Sequence, residues 1–173
     1  MTEALAFMIL LSSFASNAQV KQSFKSLKFD SVVIYDMANR GELGSYIVER
    51  GKLSDDIVKQ KKLNKLEAKQ LTSKLTDSSS YGGETASCFD PHLGIVYYLK
   101  GSIAGYVTIC LDCNRLYSSI DIPEQKQGKV GSGEEAYYTA DGLSPSFRIY
   151  LNGLLKKYKF SHQISGAAPY DSN

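Results

Sequence analysis

Two apolar runs separated by a short turn constrain the fold of this chain more strongly than any other part of its sequence. Residues 94–99 (GIVYYL) and 103–111 (IAGYVTICL) are rich in β-branched and aromatic side chains. The residues between them, Lys100-Gly101-Ser102, include a glycine, which favours the tight turn of a hairpin. The pattern therefore predicts an antiparallel β-hairpin in the middle of the chain.

The predicted hairpin brings together all three cysteines and one of the two histidines. If its turn contains two residues, Cys88 lies opposite Cys113 and His92 lies opposite Ile109. A slip of one residue places His92 opposite Cys110 instead. Side chains on opposed strands have Cβ atoms roughly 4.5–5.5 Å apart, so either register brings these groups within reach of one another.

Three interpretations of this Cys/His cluster follow from the chemistry of its side chains. In an oxidising compartment, Cys88 forms a disulfide with Cys110 or Cys113, and the odd cysteine stays a thiol. Alternatively, the cluster binds a metal ion, and zinc is the cofactor favoured by three cysteines and one histidine, although Pro91 stiffens the approach of the histidine. The ligands in that case are Cys88, His92, Cys110 and Cys113. In the third interpretation the cysteines are small buried apolar side chains and His92 lies at the surface.

The same residues argue against two kinds of redox site. A c-type haem site needs histidine directly after the second cysteine, where this chain has Asn114. A thioredoxin-type centre has its Cys-x-x-Cys pair at the start of a helix, whereas Cys110 lies in a predicted strand. His162, the other histidine, follows the last predicted helix and is expected to face solvent. We therefore predict a non-enzymatic protein without catalytic residues, and a metal-handling or thiol-redox role for the cluster is the alternative.

The N-terminal segment has features of a secretory signal peptide. Residues 5–15 are an apolar run too short to cross a bilayer, and Ser16 and Ala18 are the small residues of an A-x-A-like cleavage site. A signal peptide usually begins with lysine or arginine, whereas the early charge here is Glu3. We predict cleavage before Gln19 and a secreted or periplasmic protein, and a buried first helix is the alternative.

Strands are also predicted upstream of the hairpin. Residues 26–38 contain a β-branched run typical of a buried strand, and residues 44–49 predict a second strand after a polar turn. Residues 53–63 fit either a third strand or the start of a helix. The upstream half of the chain therefore contributes two or three strands to the predicted sheet.

Two helices are predicted from the residues at which they begin. Asn64, followed three residues later by Glu67, resembles a capping box, and apolar residues at helical spacing then predict a helix over residues 64–76. Ser144 caps a second helix, with Pro145 at its first position.

Grouped strands and separate helices predict an α+β fold. We expect a curved antiparallel β-sheet of about four to six strands, packed by two α-helices. Residues 77–83 and 120–142 are rich in glycine and polar side chains and are expected to be loops, the longer of them mobile or functional. The predicted organisation is a signal peptide over residues 1–18, a single domain over residues 19–162 and a flexible tail over residues 163–173.

Charge and aromatic content indicate the kind of partner. The net charge is +2 and the basic residues form no stripe with interleaved aromatics, which argues against nucleic-acid binding. We also expect no integral membrane association after signal cleavage. The chain has twelve tyrosines, several of them on the hairpin, and a tyrosine-rich sheet face is typical of a protein-binding surface. A protein partner is therefore predicted.

The cysteine spacing also resembles that of a known group of sequences. The pattern runs through Cys88-Phe-Asp-Pro91, Gly94-Ile-Val-Tyr and Ile109-Cys110-x-x-Cys113. It is similar to the pattern of small exported bacterial proteins of unknown function, over residues 64–117. The resemblance implies that the cysteines act together, and it implies no reaction, substrate or catalytic residue.

Overall fold

The computed structural model describes residues 23–38 and 46–163. The predicted signal peptide, residues 1–18, lies outside these ranges, as does the predicted tail from residue 164 onwards. The strands are β1 (Ser31–Met37), β2 (Val48–Glu49), β3 (Lys52–Leu53), β4 (Ile57–Lys62), β5 (Tyr81–Gly83), β6 (Leu93–Leu99), β7 (Ser102–Cys110), β8 (Arg115–Ser118), β9 (Gln127–Val130), β10 (Tyr137–Ala140) and β11 (Gly142–Leu143). The α-helices are α1 (Lys65–Leu75) and α2 (Pro145–Tyr158), and short 3-10 helices cover Phe24–Ser26, Ser78–Ser80 and Gly133–Glu135.

Five of these strands form one open antiparallel sheet in the order β4-β1-β6-β7-β8. Both α-helices contribute to the larger core on one face of this sheet. There Leu71 of α1 and Leu151 and Leu155 of α2 share a cluster with Ile95 and Val107 of the central strands. The predicted α+β class, an antiparallel sheet packed by two helices, is confirmed.

The opposite face of the sheet buries a smaller core. Tyr35 and Met37 of β1 and Val96 of β6 share this core with Ile47 and Val48, which lie at the start of the β2–β3 hairpin. Successive residues of β1 and β6 alternate between the two cores, as the period of two in a strand requires. Because both faces are covered, β1 has a nearly continuous apolar sequence.

The hairpin of β6 and β7 has the predicted turn but a shifted register. Lys100 and Gly101 both have positive φ angles, 51° and 80°, as in the two-residue turns that suit the twist of a hairpin. A bulge beside Tyr97 then shifts the pairing by one residue. Of the two predicted registers, the open end of the hairpin therefore follows the slipped one, in which His92 lies opposite Cys110.

Both helices begin where their sequence signals predict. The Asn64 side chain accepts a hydrogen bond from the Glu67 amide (2.9 Å), and the Glu67 carboxylate accepts one from the Asn64 amide (3.0 Å), so the capping box is complete. Ser144 caps α2 ahead of Pro145. The ambiguous residues 53–63 contain β4, a mostly exposed, lysine-rich edge strand. Neither helix in the described part of the chain is both long and apolar enough to cross a membrane.

Two segments predicted to be loops contain short strands. β5, within residues 77–83, pairs with β11, whereas β9 and β10, within residues 120–142, form a separate two-stranded ribbon. The prediction of structureless loops is therefore wrong for these residues. β5, β9 and β10 are only three or four residues long and lack the apolar–polar alternation from which strands are predicted.

Candidate functional site

The three cysteines meet at the open end of the β6–β7 hairpin. Cys88 and Cys113 form a disulfide, with sulfur atoms 2.03 Å apart and Cα atoms 5.7 Å apart. Cys110, at the end of β7, is a free and fully buried thiol. The three sulfur atoms lie within 4.8 Å of one another. The sequence predicted a disulfide between Cys88 and either Cys110 or Cys113, and the structure contains the bond to Cys113.

The surroundings of Cys110 are those of a buried structural thiol. Its Sγ accepts a hydrogen bond from the Cys113 amide at 3.2 Å. Burial raises the pKa of the Cys110 thiol and outweighs hydrogen bonds from the backbone of Asp90 and Cys113, which act in the opposite direction. Because the thiolate is the nucleophile, a neutral buried thiol is poorly suited to attack the neighbouring disulfide.

Buried polar side chains fix the turn that carries Cys113. The guanidinium group of Arg148 in α2 donates to the Leu111 carbonyl and to Asn114 Oδ1, the latter at 3.2 Å. The Asn114 side-chain amide donates to backbone carbonyls of two neighbouring segments, at 2.8 and 2.9 Å. Asn114 has a φ of 51°, in the left-handed region that asparagine adopts more readily than most residues. Helix α2 therefore helps to hold residues 111–114 in place.

The disulfide also anchors residues 84–92, which have no regular secondary structure. Arg115 of β8 donates hydrogen bonds to the carbonyls of Ser87 (3.2 Å) and Cys88 (3.4 Å). Together with the bond to Cys113, these contacts hold the irregular segment against the turn between β7 and β8.

Beside the disulfide, four aromatic side chains form a partly exposed row. Phe89, directly after Cys88, contacts Tyr46 with ring centroids 5.7 Å apart. Tyr46 contacts Tyr117 of β8 at 4.5 Å, and Tyr117 contacts Tyr106 of β7 at 6.3 Å. Tyr117 is 42% exposed. These four residues, Tyr46, Phe89, Tyr106 and Tyr117, are called the aromatic row below.

His92 belongs to a second cluster, formed with Asp112 and His162. The rings of His92 and His162 stack with centroids 3.7 Å apart, and His162 Nε2 lies 3.3 Å from Asp112 Oδ2. The four-ligand set drawn from the sequence was Cys88, His92, Cys110 and Cys113. That set stays a prediction. In the structure Cys88 and Cys113 are bonded to each other, and His92 groups with Asp112 and His162.

Several residues of these sites were not indicated by the sequence. The expectation that His162 faces solvent is wrong, since its side chain is only 24% exposed and packs on His92. Nothing in the residues around it signals this contact, which depends on the path of the chain after α2. Arg148 did carry a signal, because a charged residue three positions before Leu151 falls on the buried face of the helix.

Comparison of the chain with protein-family models, with curated proteins and with solved structures finds no match. The resemblance of its cysteine spacing to small exported bacterial proteins therefore stays a prediction.

Proposed function

We propose that this chain is an exported binding domain in which the Cys88–Cys113 disulfide holds the aromatic row in position for a protein partner. The role is binding and not catalysis. The observation that carries the proposal is the position of Phe89, which directly follows Cys88 and packs its ring on Tyr46. A covalent link at Cys88 restricts residues 84–92, so that Phe89 stays packed on Tyr46, which in turn contacts Tyr117 of β8.

The composition of the aromatic row is suited to binding another protein. Tyrosine and phenylalanine bury a large apolar area, and the tyrosine hydroxyl adds a hydrogen-bonding group. The rings of the row already contact one another in the free protein. Binding therefore immobilises few additional side chains, which reduces the entropic cost of association.

Export is supported by the disulfide and by the sequence before it. Disulfides persist in secreted and periplasmic proteins, whereas the cytosol keeps most thiols reduced. Residues 1–18 have the apolar run and the small residues of a cleavable leader. Both features favour an oxidising compartment.

A thiol-redox role has weaker support. Such a role requires an accessible thiolate, whereas Cys110 and Cys113 are 0% and 1% exposed. Cys88 is exposed but is already bonded to Cys113. The bridge therefore fits a structural staple better than a reactive centre.

Site-specific photo-crosslinking tests the proposed binding surface. A photoreactive amino acid replaces Tyr117 in the full-length chain, expressed in the cells from which the sequence comes. The control places the same group at Ile149 of α2, which is 69% exposed and lies outside the aromatic row. We expect one discrete crosslinked protein from position 117 and none from position 149.

A binding measurement with the purified crosslinked protein completes the test. Tyr117→Ala is expected to weaken binding by about tenfold or more, as for an aromatic residue at the centre of an interface. Ile149→Ala should leave the affinity unchanged. The proposal fails if position 117 gives no product, or if both positions capture the same proteins.

A further inference from the structure

We propose that His92, Asp112 and His162 form a binding site for a divalent transition-metal ion of the zinc type. The site uses none of the cysteines and none of the residues of the aromatic row. It is therefore independent of the proposed binding function.

The three side chains come from distant parts of the chain. His92 stands just before β6, Asp112 lies in the turn after β7, and His162 follows α2. The two rings are nearly parallel, with an angle of 14° between their planes, and one ligand atom of each residue lies within 4.8 Å of the others. Two nitrogen or oxygen ligands of one tetrahedral zinc ion lie about 3.3–3.6 Å apart, so the three ligand atoms have to move closer together. Because a nitrogen lone pair lies in the plane of its ring, the two imidazoles also have to turn out of their parallel stack to share one ion.

Two imidazole nitrogens at this site are buried without a hydrogen bond. Nδ1 of His92 and Nε2 of His162 have no hydrogen-bond partner among the described residues. The 3.3 Å approach of His162 Nε2 to Asp112 lacks hydrogen-bond geometry. Burial of a polar group without a partner costs free energy, so such groups are rare in folded proteins. An ion ligated by these nitrogens would remove that cost.

The surroundings of His92 favour the form that binds metals. His92 is 7% exposed, so little water is available to stabilise an imidazolium ion. A neutral imidazole has the free lone pair that a metal ligand needs.

The donor set selects the class of ion. Two imidazoles with one carboxylate occur in catalytic zinc sites and in iron(II) sites, which keep open positions for water or substrate. Calcium and magnesium prefer oxygen ligands alone. The Asp112 side chain is 62% exposed, so water can reach the remaining coordination positions.

Contacts within the protein hold the ligands near one another before any ion binds. The His92 amide donates to a carbonyl of β7 at 3.2 Å. The disulfide fixes the turn that contains Asp112. The amide of Ser161, next to His162, donates to the Asp36 carboxylate at 2.5 Å. These contacts hold the backbone of the three ligand residues in place, so that binding of the ion requires rotation of their side chains and no rearrangement of the chain.

Zinc titration of the oxidised protein tests this site. Protein without a histidine tag and with its disulfide intact is stripped with chelator and titrated calorimetrically with Zn²⁺ in the absence of reductant. We expect one ion per chain, a higher melting temperature with zinc, and no binding of Mg²⁺. Asp112→Asn and His162→Gln should each weaken zinc binding by about tenfold or more.

Cys110→Ala is the matched control, because it removes the one cysteine outside the disulfide and should leave the zinc affinity unchanged. Substitution with cobalt(II) should give a spectrum without a sulfur-to-cobalt charge-transfer band. Metal-free Asp112→Asn should unfold like the unmodified protein, since its side chain is exposed. The proposal is overturned if the unmodified protein binds no zinc, if both ligand variants bind it equally well, or if Cys110→Ala abolishes binding.

Discussion

At the scale of single residues, Arg148 connects the second helix to the turn that carries the candidate sites. The side chain is 1% exposed, and its guanidinium group donates to the Leu111 carbonyl and to Asn114 Oδ1. Buried acceptors that lose their donor cost free energy, because water cannot replace it. Arg148 therefore stabilises the turn that contains both Asp112 and Cys113.

Arg148→Met is expected to reduce the free energy of unfolding by about 2–3 kcal/mol, because two buried acceptors lose a charged donor while the apolar stem is kept. Urea unfolding of the disulfide-intact protein measures the change. Lys156→Met, which removes a cation from the exposed side of the same helix, should change it by less than about 0.5 kcal/mol. Similar losses of unfolding free energy in the two variants would show that Arg148 acts only through its charge.

At the scale of secondary-structure elements, one carboxylate joins the start of α1 to the end of α2. Glu67 accepts hydrogen bonds from the Asn64 amide, from Lys157 at 2.5 Å and from the Tyr158 hydroxyl. Burial by itself would raise the pKa of Glu67, but the hydrogen bonds from Lys157, Tyr158 and Asn64 outweigh it and lower the pKa to about 2. Glu67, which completes the capping box of α1, therefore also anchors the end of α2.

Glu67→Gln should make stability less sensitive to acid. The pKa of Glu67 falls from its usual 4.5 to about 2 on folding, so its contribution is complete above pH 4.5 and is lost as the pH falls towards 2. At neutral pH we expect the variant to lose about 1–3 kcal/mol, the value of hydrogen bonds to a charged group. Below about pH 3 the difference from the unmodified protein should shrink.

Denaturant unfolding at several pH values measures this difference. Glu84→Gln is the control, because Glu84 is exposed and its side chain is not part of the contact between the helices. A Glu67→Gln difference that stays constant from neutral to acid pH would mean that the ionised carboxylate does not stabilise the helix pair.

At the scale of the whole molecule, local signals predicted the elements, and contacts between distant segments determined the sites. The turn at Lys100-Gly101 and the cap at Asn64 depend on neighbouring residues, so the sequence indicates them directly. The bulge beside Tyr97 is different, because packing on both faces of the sheet decides the register. The contact of His162 with His92 depends on the return of the chain after α2, which no local pattern encodes.

The compartment is also a property of the whole molecule, and processing of the full-length chain tests it. In a bacterial host we expect mature protein that begins at Gln19 in the periplasm or medium. After unfolding without reductant and with chelator present, it should contain one reactive thiol, that of Cys110, because the other two cysteines are bonded. Ala18→Arg should leave residues 1–18 attached, since the cleavage site accepts small residues.

A chain that lacks residues 2–18 separates export from folding. Without the leader it should stay in the cytoplasm, where thiols are kept reduced, and all three cysteines should then react after unfolding. Oxidation of that protein in vitro should restore the Cys88–Cys113 bridge, because the folded chain places the two Cα atoms 5.7 Å apart, within the range of a disulfide. If the full-length chain instead remains unprocessed in the cytoplasm with three reactive thiols, the N-terminal segment is not a signal peptide. The disulfide would then have no oxidising compartment in which to form, and the stapled aromatic row could not be the native binding surface.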